Sequence, residues 1–199
     1  MSFAGCTPGG LSIGPVTAVR TQLRVRRAGP EDVAALAVLM RRVERSQHAH
    51  LSRPAALEVH LHRRCTAWYL LGRLGAGDQL FMAERGGRAV GMTAAQITAG
   101  PRHARLHLHS TTVDRLDVLP EAEEVHAALV HSALRVGDRA GAQLVSADCL
   151  QDDESMQGRL RHLGLQPVGS PAPSTTLPGA RVVHWRGRLD EALRRTEGR

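Results

Sequence analysis

Two hydrophobic periods alternate along the chain, and their order predicts a layered α+β domain. Leu23-Arg24-Val25-Arg26 alternates apolar and basic residues, as a strand does. Gly29-Pro30-Glu31-Asp32 then opens a helix, with proline in its first turn and acids against its positive end. Val33, Leu36, Leu39, Met40 and Val43 follow at helical spacing. A second helix is predicted from Ser52-Arg53-Pro54 through Leu57, Leu61, Ala67, Trp68 and Leu71. Residues 79–84 and 89–98 read as strands joined at Arg85-Gly86-Gly87-Arg88, a hairpin signal.

A strand over 106–118 follows, and its polar interruption at 111–114 permits a bulge. A helix over 120–139 ends at Gly141. Residues 144–147 read as a buried strand, and Asp152 or Asp153 caps a helix that reaches Leu163 and stops at Gly164. Residues 166–168 begin a strand, 170–179 form a Pro/Ser/Thr loop, and 181–185 form a last strand antiparallel to the one before. Together these elements predict one domain over 22–189, a mixed central sheet flanked by helices. Residues 1–21 are expected to be a disordered tail, and 190–199 a C-terminal tail that is a short charged helix or a frayed end.

Composition narrows the function classes. The 26 basic residues are all arginine, with no lysine and no asparagine, so the codon bias of a high-GC bacterial genome accounts for the arginine content. The net charge of +7 is therefore read as a solvated basic surface rather than a nucleic-acid footprint. Aromatic residues, at 3%, are too few for base-stacking platforms. No apolar run is long enough to cross a membrane, and no secretory signal is visible. Cys6, Cys65 and Cys149 lie far apart, which suits unpaired thiols in a reducing cytoplasm. Eleven histidines raise the question of a metal, but no HExxH motif or third ligand at metal spacing is present, and none is expected.

The element order resembles that of the GCN5-related N-acetyltransferase (GNAT) superfamily from about Leu23 to Arg188. Three local stretches carry the resemblance: Leu23-Arg24-Val25-Arg26-Arg27-Ala28 with Glu31-Asp32, Leu116-Asp117-Val118-Leu119-Pro120-Glu121, and His162-Leu163-Gly164-Leu165-Gln166-Pro167-Val168. The resemblance implies the GNAT acyl-CoA N-acyltransferase fold and transfer of an acetyl group from acetyl-CoA to an amine, carried by a small molecule or a protein. It also implies that a homodimer is open to the chain. By the same resemblance, cofactor contacts are expected at Leu116, Asp117, Val118, Val125 and Asp153, with the pantetheine arm held by the backbone of the first three.

The chain departs from the family pattern at the pyrophosphate turn. Phosphates need exposed N–H groups and glycines that let the backbone approach. Here Pro120 is followed by Glu121-Ala122-Glu123-Glu124, with no glycine and no arginine. Acids in a first turn stabilise any helix, but their charge opposes a phosphate. Leu160 stands where many members carry a proton-donating tyrosine, and Asp153 stands for a frequent asparagine. A rival reading follows: an inactive GNAT-like binding or regulatory module without acetyl-CoA.

An acetyl transfer to an amine needs a base. His107, His109 and Asp114 lie on the strand that leads to the cofactor segment. The same residues also fit an amphipathic strand with Leu106 and Leu108 inward and both histidines in solvent. Cys149 reads as a nucleophile or as a small buried residue, and Tyr69, the one tyrosine, as a residue at the edge of the core.

Overall fold

The computed structural model describes residues 22–48, 54–100, 104–114, 121–175, 177 and 179–197. Strand β1 (Leu23–Arg27) leads through a 3-10 turn (Pro30–Asp32) into α1 (Val33–His48), α2 (Pro54–Arg64) and α3 (Ala67–Gly75). The hairpin β2 (Gln79–Arg85) and β3 (Arg88–Thr98) follows, then β4 (Ala104–Val113), α4 (Ala122–Arg139), β5 (Ala142–Leu150) and α5 (Glu154–His162). The chain closes with β6 (Gln166–Pro173), β7 (Arg181–Arg188) and α6 (Leu189–Glu197). The seven strands among the described residues form one sheet in the order β1-β2-β3-β4-β5-β7-β6. The β4–β5 pair is parallel and every other pair antiparallel. The mixed α+β sheet expected from the periodicity is therefore present. Among the described residues no helix is long and apolar enough to cross a membrane.

Local chemistry explains the departures from the sequence reading. The second predicted helix is two helices, because Thr66 leaves the helical path and its hydroxyl accepts from the Tyr69 amide at 3.2 Å, capping α3. The hairpin turn needs left-handed backbone at both central positions, and Gly86 and Gly87 take φ of 59° and 76°. Strand β6 continues to Pro173, taking the first four residues of the predicted loop, and lies exposed at the edge of the sheet beside β7. The segment after Leu189 is the helix α6, which buries Leu189, Ala192 and Leu193. The expected tail at 1–21 lies outside the described residues.

Two cores sandwich the sheet. On one face α4 and α6 press Val125, Leu129 and Leu134 onto Leu106, Leu108, Val145 and Trp185. Gly91 of β3 admits α4 there, since a Cβ at that position would meet Val125 and Leu129 at 2.8 and 2.9 Å. On the other face α1, α2 and α3 bury Leu36, Leu39, Leu61 and Leu70 against Leu80, Met82 and Met92. Arg26 fastens the β1 edge, donating to both oxygens of Asp32 at 2.7 Å and to Glu84 at 2.9 Å. That guanidinium, with the Gly29 amide, holds the Asp32 carboxyl below the usual carboxylate range.

Candidate functional site

Two irregularities in β4 create the site. The first is a bulge. Thr93 pairs with Thr111 but Ala95 with Leu108, so His109 and Ser110 together oppose Ala94. One extra residue inverts the alternation of β4. Leu106 and Leu108 before the bulge and Val113 after it all reach the core under α4. The bulge was expected at the polar stretch 111–114 and lies two residues earlier. The second irregularity is a splay. The parallel β4–β5 ladder runs from Ala104↔Ala142 to Leu108↔Ala147 and stops, although β4 continues to Val113 and β5 to Leu150. The facing edges beyond that point pair with each other no further, while β5 stays joined to β7 as far as Leu150↔Val182.

Where the strands part, a cavity of about 460 Å³ opens on the α1–α3 side. The period of two places His107 and His109 of β4, Asp148 of β5 and His184 of β7 on its wall. Asp148 is the hub. One of its oxygens lies 2.7 Å from His184 Nδ1, and the other 3.8 Å from His107 Nε2. His107 Nδ1 lies 3.0 Å from the Ser146 hydroxyl. The His107 and His184 rings are nearly parallel, with centroids 6.3 Å apart, and His109 meets His107 edge-on at 4.6 Å. Burial lowers the pKa of His107. Burial, with the charges of Arg73 and Arg64, pushes His109 down to about 3, so it is neutral at physiological pH. His109 Nε2 is buried without a hydrogen-bond partner among the described residues.

Neither histidine of β4 is simply solvent-facing: both are half-buried on the cavity wall. Asp114 is buried, paired with Arg42 of α1, and is not among the described residues that line the cavity. Leu116, Asp117 and Val118 lie outside the described residues. Val125 is wholly buried in the core, and its amide donates to Glu121 at 3.1 Å. Asp153 lines the cavity and caps α5, accepting from the Met156 amide at 2.9 Å. Burial pushes the Cys149 thiol up to about 11, which keeps it protonated and a poor nucleophile. Leu160 is a core residue. Among the described residues no group of three His, Cys, Asp or Glu is disposed to hold a metal.

Sequence reasoning missed Asp148 and His184, which only the β5–β7 register brings together. It also missed what surrounds the acids at the start of α4. Arg85 lies 3.6 Å from Glu121 and 3.7 Å from Glu124, and Arg159 of α5 pairs with Glu123. Two arginines from other elements thus offset the carboxylates that oppose a phosphate. Beside them, a second cavity of about 300 Å³ lies between α4, α5 and α6, with Arg159, His126 and Arg195 on its wall.

No protein-family model matches the sequence, and neither does any curated protein. Solved structures do. The PaiA N-acetyltransferase from Thermoplasma acidophilum, solved in complex with coenzyme A, superposes with a TM-score of 0.67 at 11% identity, over 82% of this chain and 98% of that one. An N-acetyltransferase from Staphylococcus aureus Mu50 gives 0.61 at 13% identity, over 85% and 99%. The ribosomal-protein-alanine N-acetyltransferase from Brucella melitensis gives 0.58 at 14% identity, over 83% and 99%. The chain has the GNAT acyl-CoA N-acyltransferase fold.

Proposed function

We propose that this protein is an N-acetyltransferase that moves an acetyl group from acetyl-CoA to an amine held in the 460 Å³ cavity. The observation that carries the reading is the β4–β5 splay opening beside the Asp148–His184 pair. Strand edges that have left their ladder offer backbone donors and acceptors to an extended, amide-bearing arm. Residues 109–113 and 148–150 would hold the pantetheine in this way. Arg85 and Arg159, at the start of α4, would face its phosphates in place of glycine amides. The similar PaiA structure was solved in complex with coenzyme A, which supports acetyl-CoA as the donor.

When bound, acetyl-CoA supplies a thioester carbonyl carbon for an amine to attack, so that a C–N bond forms and the C–S bond breaks. The chain supplies the proton handling. Asp148 accepts from His184 Nδ1–H, which fixes the tautomer and leaves a lone pair on Nε2. That nitrogen would take the proton the amine loses, Asp148 would stabilise the imidazolium, and the same proton would pass on to the departing thiolate, so that the coenzyme leaves as its free thiol. His107, stacked on His184 and anchored by Ser146, keeps the ring in register. The neutral His109 leaves the reacting end of the cavity without an added positive charge.

Calorimetric titration of acetyl-CoA into the protein tests the reading, followed by thiol release with a panel of amines. Micromolar binding is expected, with His184→Gln keeping that binding and losing about 10²- to 10⁴-fold in turnover. No binding at millimolar acetyl-CoA would sink the proposal and favour a binding module that has kept only the fold.

A further inference from the structure

The cavity wall carries cations as well as carboxylates. Each carboxylate there is already engaged: Asp148 by His184 and His107, Glu44 by His60 at 3.3 Å, and Asp153 by an amide of its own helix. Arg73 is paired with Asp78, and its Nη1 donates to the Tyr69 hydroxyl at 2.8 Å. Arg64, at the end of α2, differs. Its guanidinium lies 4.5 Å from the centre of the Tyr69 ring, half-buried on the cavity wall. Among the described residues it has no carboxylate partner. A half-buried guanidinium resting on an aromatic face presents donors in a fixed fork that matches a carboxylate.

The rest of the wall says what accompanies that anion. Met40, Leu70, Met92, Leu108 and Leu177 make much of it apolar. A ligand complementary to the whole cavity therefore has three parts. It has an amine at the Asp148–His184 end, an apolar body, and an acidic group at Arg64.

We propose that Arg64 is the anion-binding residue of the acceptor site, and that the acceptor is a carboxylate-bearing amine with an apolar body. The amine end of this inference rests on the acetyl-transfer reading, whereas the anion site stands without it. Arg64, Asp148 and His184 line one and the same cavity.

The test uses the full chain without acetyl-CoA. Apolar amino acids are compared with their decarboxylated counterparts, such as L-phenylalanine against phenethylamine and L-leucine against 3-methylbutylamine, by calorimetry or ligand-observed NMR. At least one carboxylated member should bind about 10- to 100-fold tighter than its counterpart, the difference one charge-assisted contact makes. Arg64→Gln should bring the two affinities together, while Arg64→Lys, which keeps the charge, should preserve part of the gap. Equal affinities, a preference for the decarboxylated amines, or no carboxylated binder at millimolar concentration would each overturn the proposal. So would an Arg64→Gln variant that weakens both members alike. Protein that binds the amino acid through Arg64 but never acetyl-CoA would remove the acetyl-transfer reading and leave this site standing.

Discussion

On the α4 and α6 face of the sheet, Val125, Leu129, Leu134, Val145 and Trp185 are wholly buried in one apolar core. On the opposite face Leu36, Leu61 and Leu70 are buried as completely, but that core gives way beside β4 and β5 to a cavity carrying imidazoles, carboxylates and guanidinia. The same strands serve both faces, because neighbouring residues point opposite ways. Val183 and Trp185 hold the fold, and His184 between them points to the cavity. The packed core and the cavity wall are thus separated by a single residue along a strand. Substitutions on the first face should change stability, and those on the second mainly proton and ligand binding.

The largest expected effect is on the packed face. Trp185→Ala should cost about 3–5 kcal/mol in a denaturant titration, the usual range for an emptied aromatic site in a core. A loss below about 1 kcal/mol would mean that face is less closely packed than described. Gly91→Val comes next, at about 1–3 kcal/mol, since the new side chain must displace Val125 and Leu129 of α4. Retained stability there would show that α4 can move away from β3.

The cavity face should show itself in pH dependence. His109 has its folded pKa pushed down to about 3, against about 6.5 for an unperturbed histidine. Between those values the unfolded chain binds a proton that the native chain does not. Stability therefore rises with pH across this window, by up to about 1.4 kcal/mol per pH unit from this one group. His109→Gln should flatten that part of the acid limb, and an unchanged slope would count against a buried neutral imidazole. A smaller effect of another origin belongs to Asp32. Its folded pKa is lowered by Arg26, so its contribution is complete above the ordinary carboxylate range and fades as pH falls through the depressed value. Arg26→Gln should remove that fading together with the contribution, read as a changed denaturation midpoint at neutral pH and little change in strong acid.

The fold was legible where period and turn chemistry agree. The hairpin at Gly86-Gly87, the helix from Val33 and the stops at Gly141 and Gly164 all follow from local rules. The break at Thr66 was harder to see, because Leu61, Ala67 and Leu71 sustain an apolar pattern across it and only the side-chain cap interrupts the helix. The site was half legible. Alternation marked His107 and His109 as sharing a face, but which strand faces which is a matter of register. Asp148 and His184 stand 36 positions apart and meet only because β7 inserts beside β5. The acids of α4 were visible as a charge problem, whereas Arg85 and Arg159 come from a hairpin and a helix whose sequence gives no sign of the pairing.

The exposed strand at the border of the sheet has a consequence of its own. β6 reads Gln-Pro-Val-Gly-Ser-Pro-Ala-Pro, so three of its eight residues have no amide proton to offer either neighbour. An unguarded border of this kind is a template on which other chains can add strand after strand. Pro167, Pro171 and Pro173 interrupt that template. A second copy arriving at this border finds a broken row of donors, and a crowded solution of the protein is protected from growing one continuous intermolecular sheet.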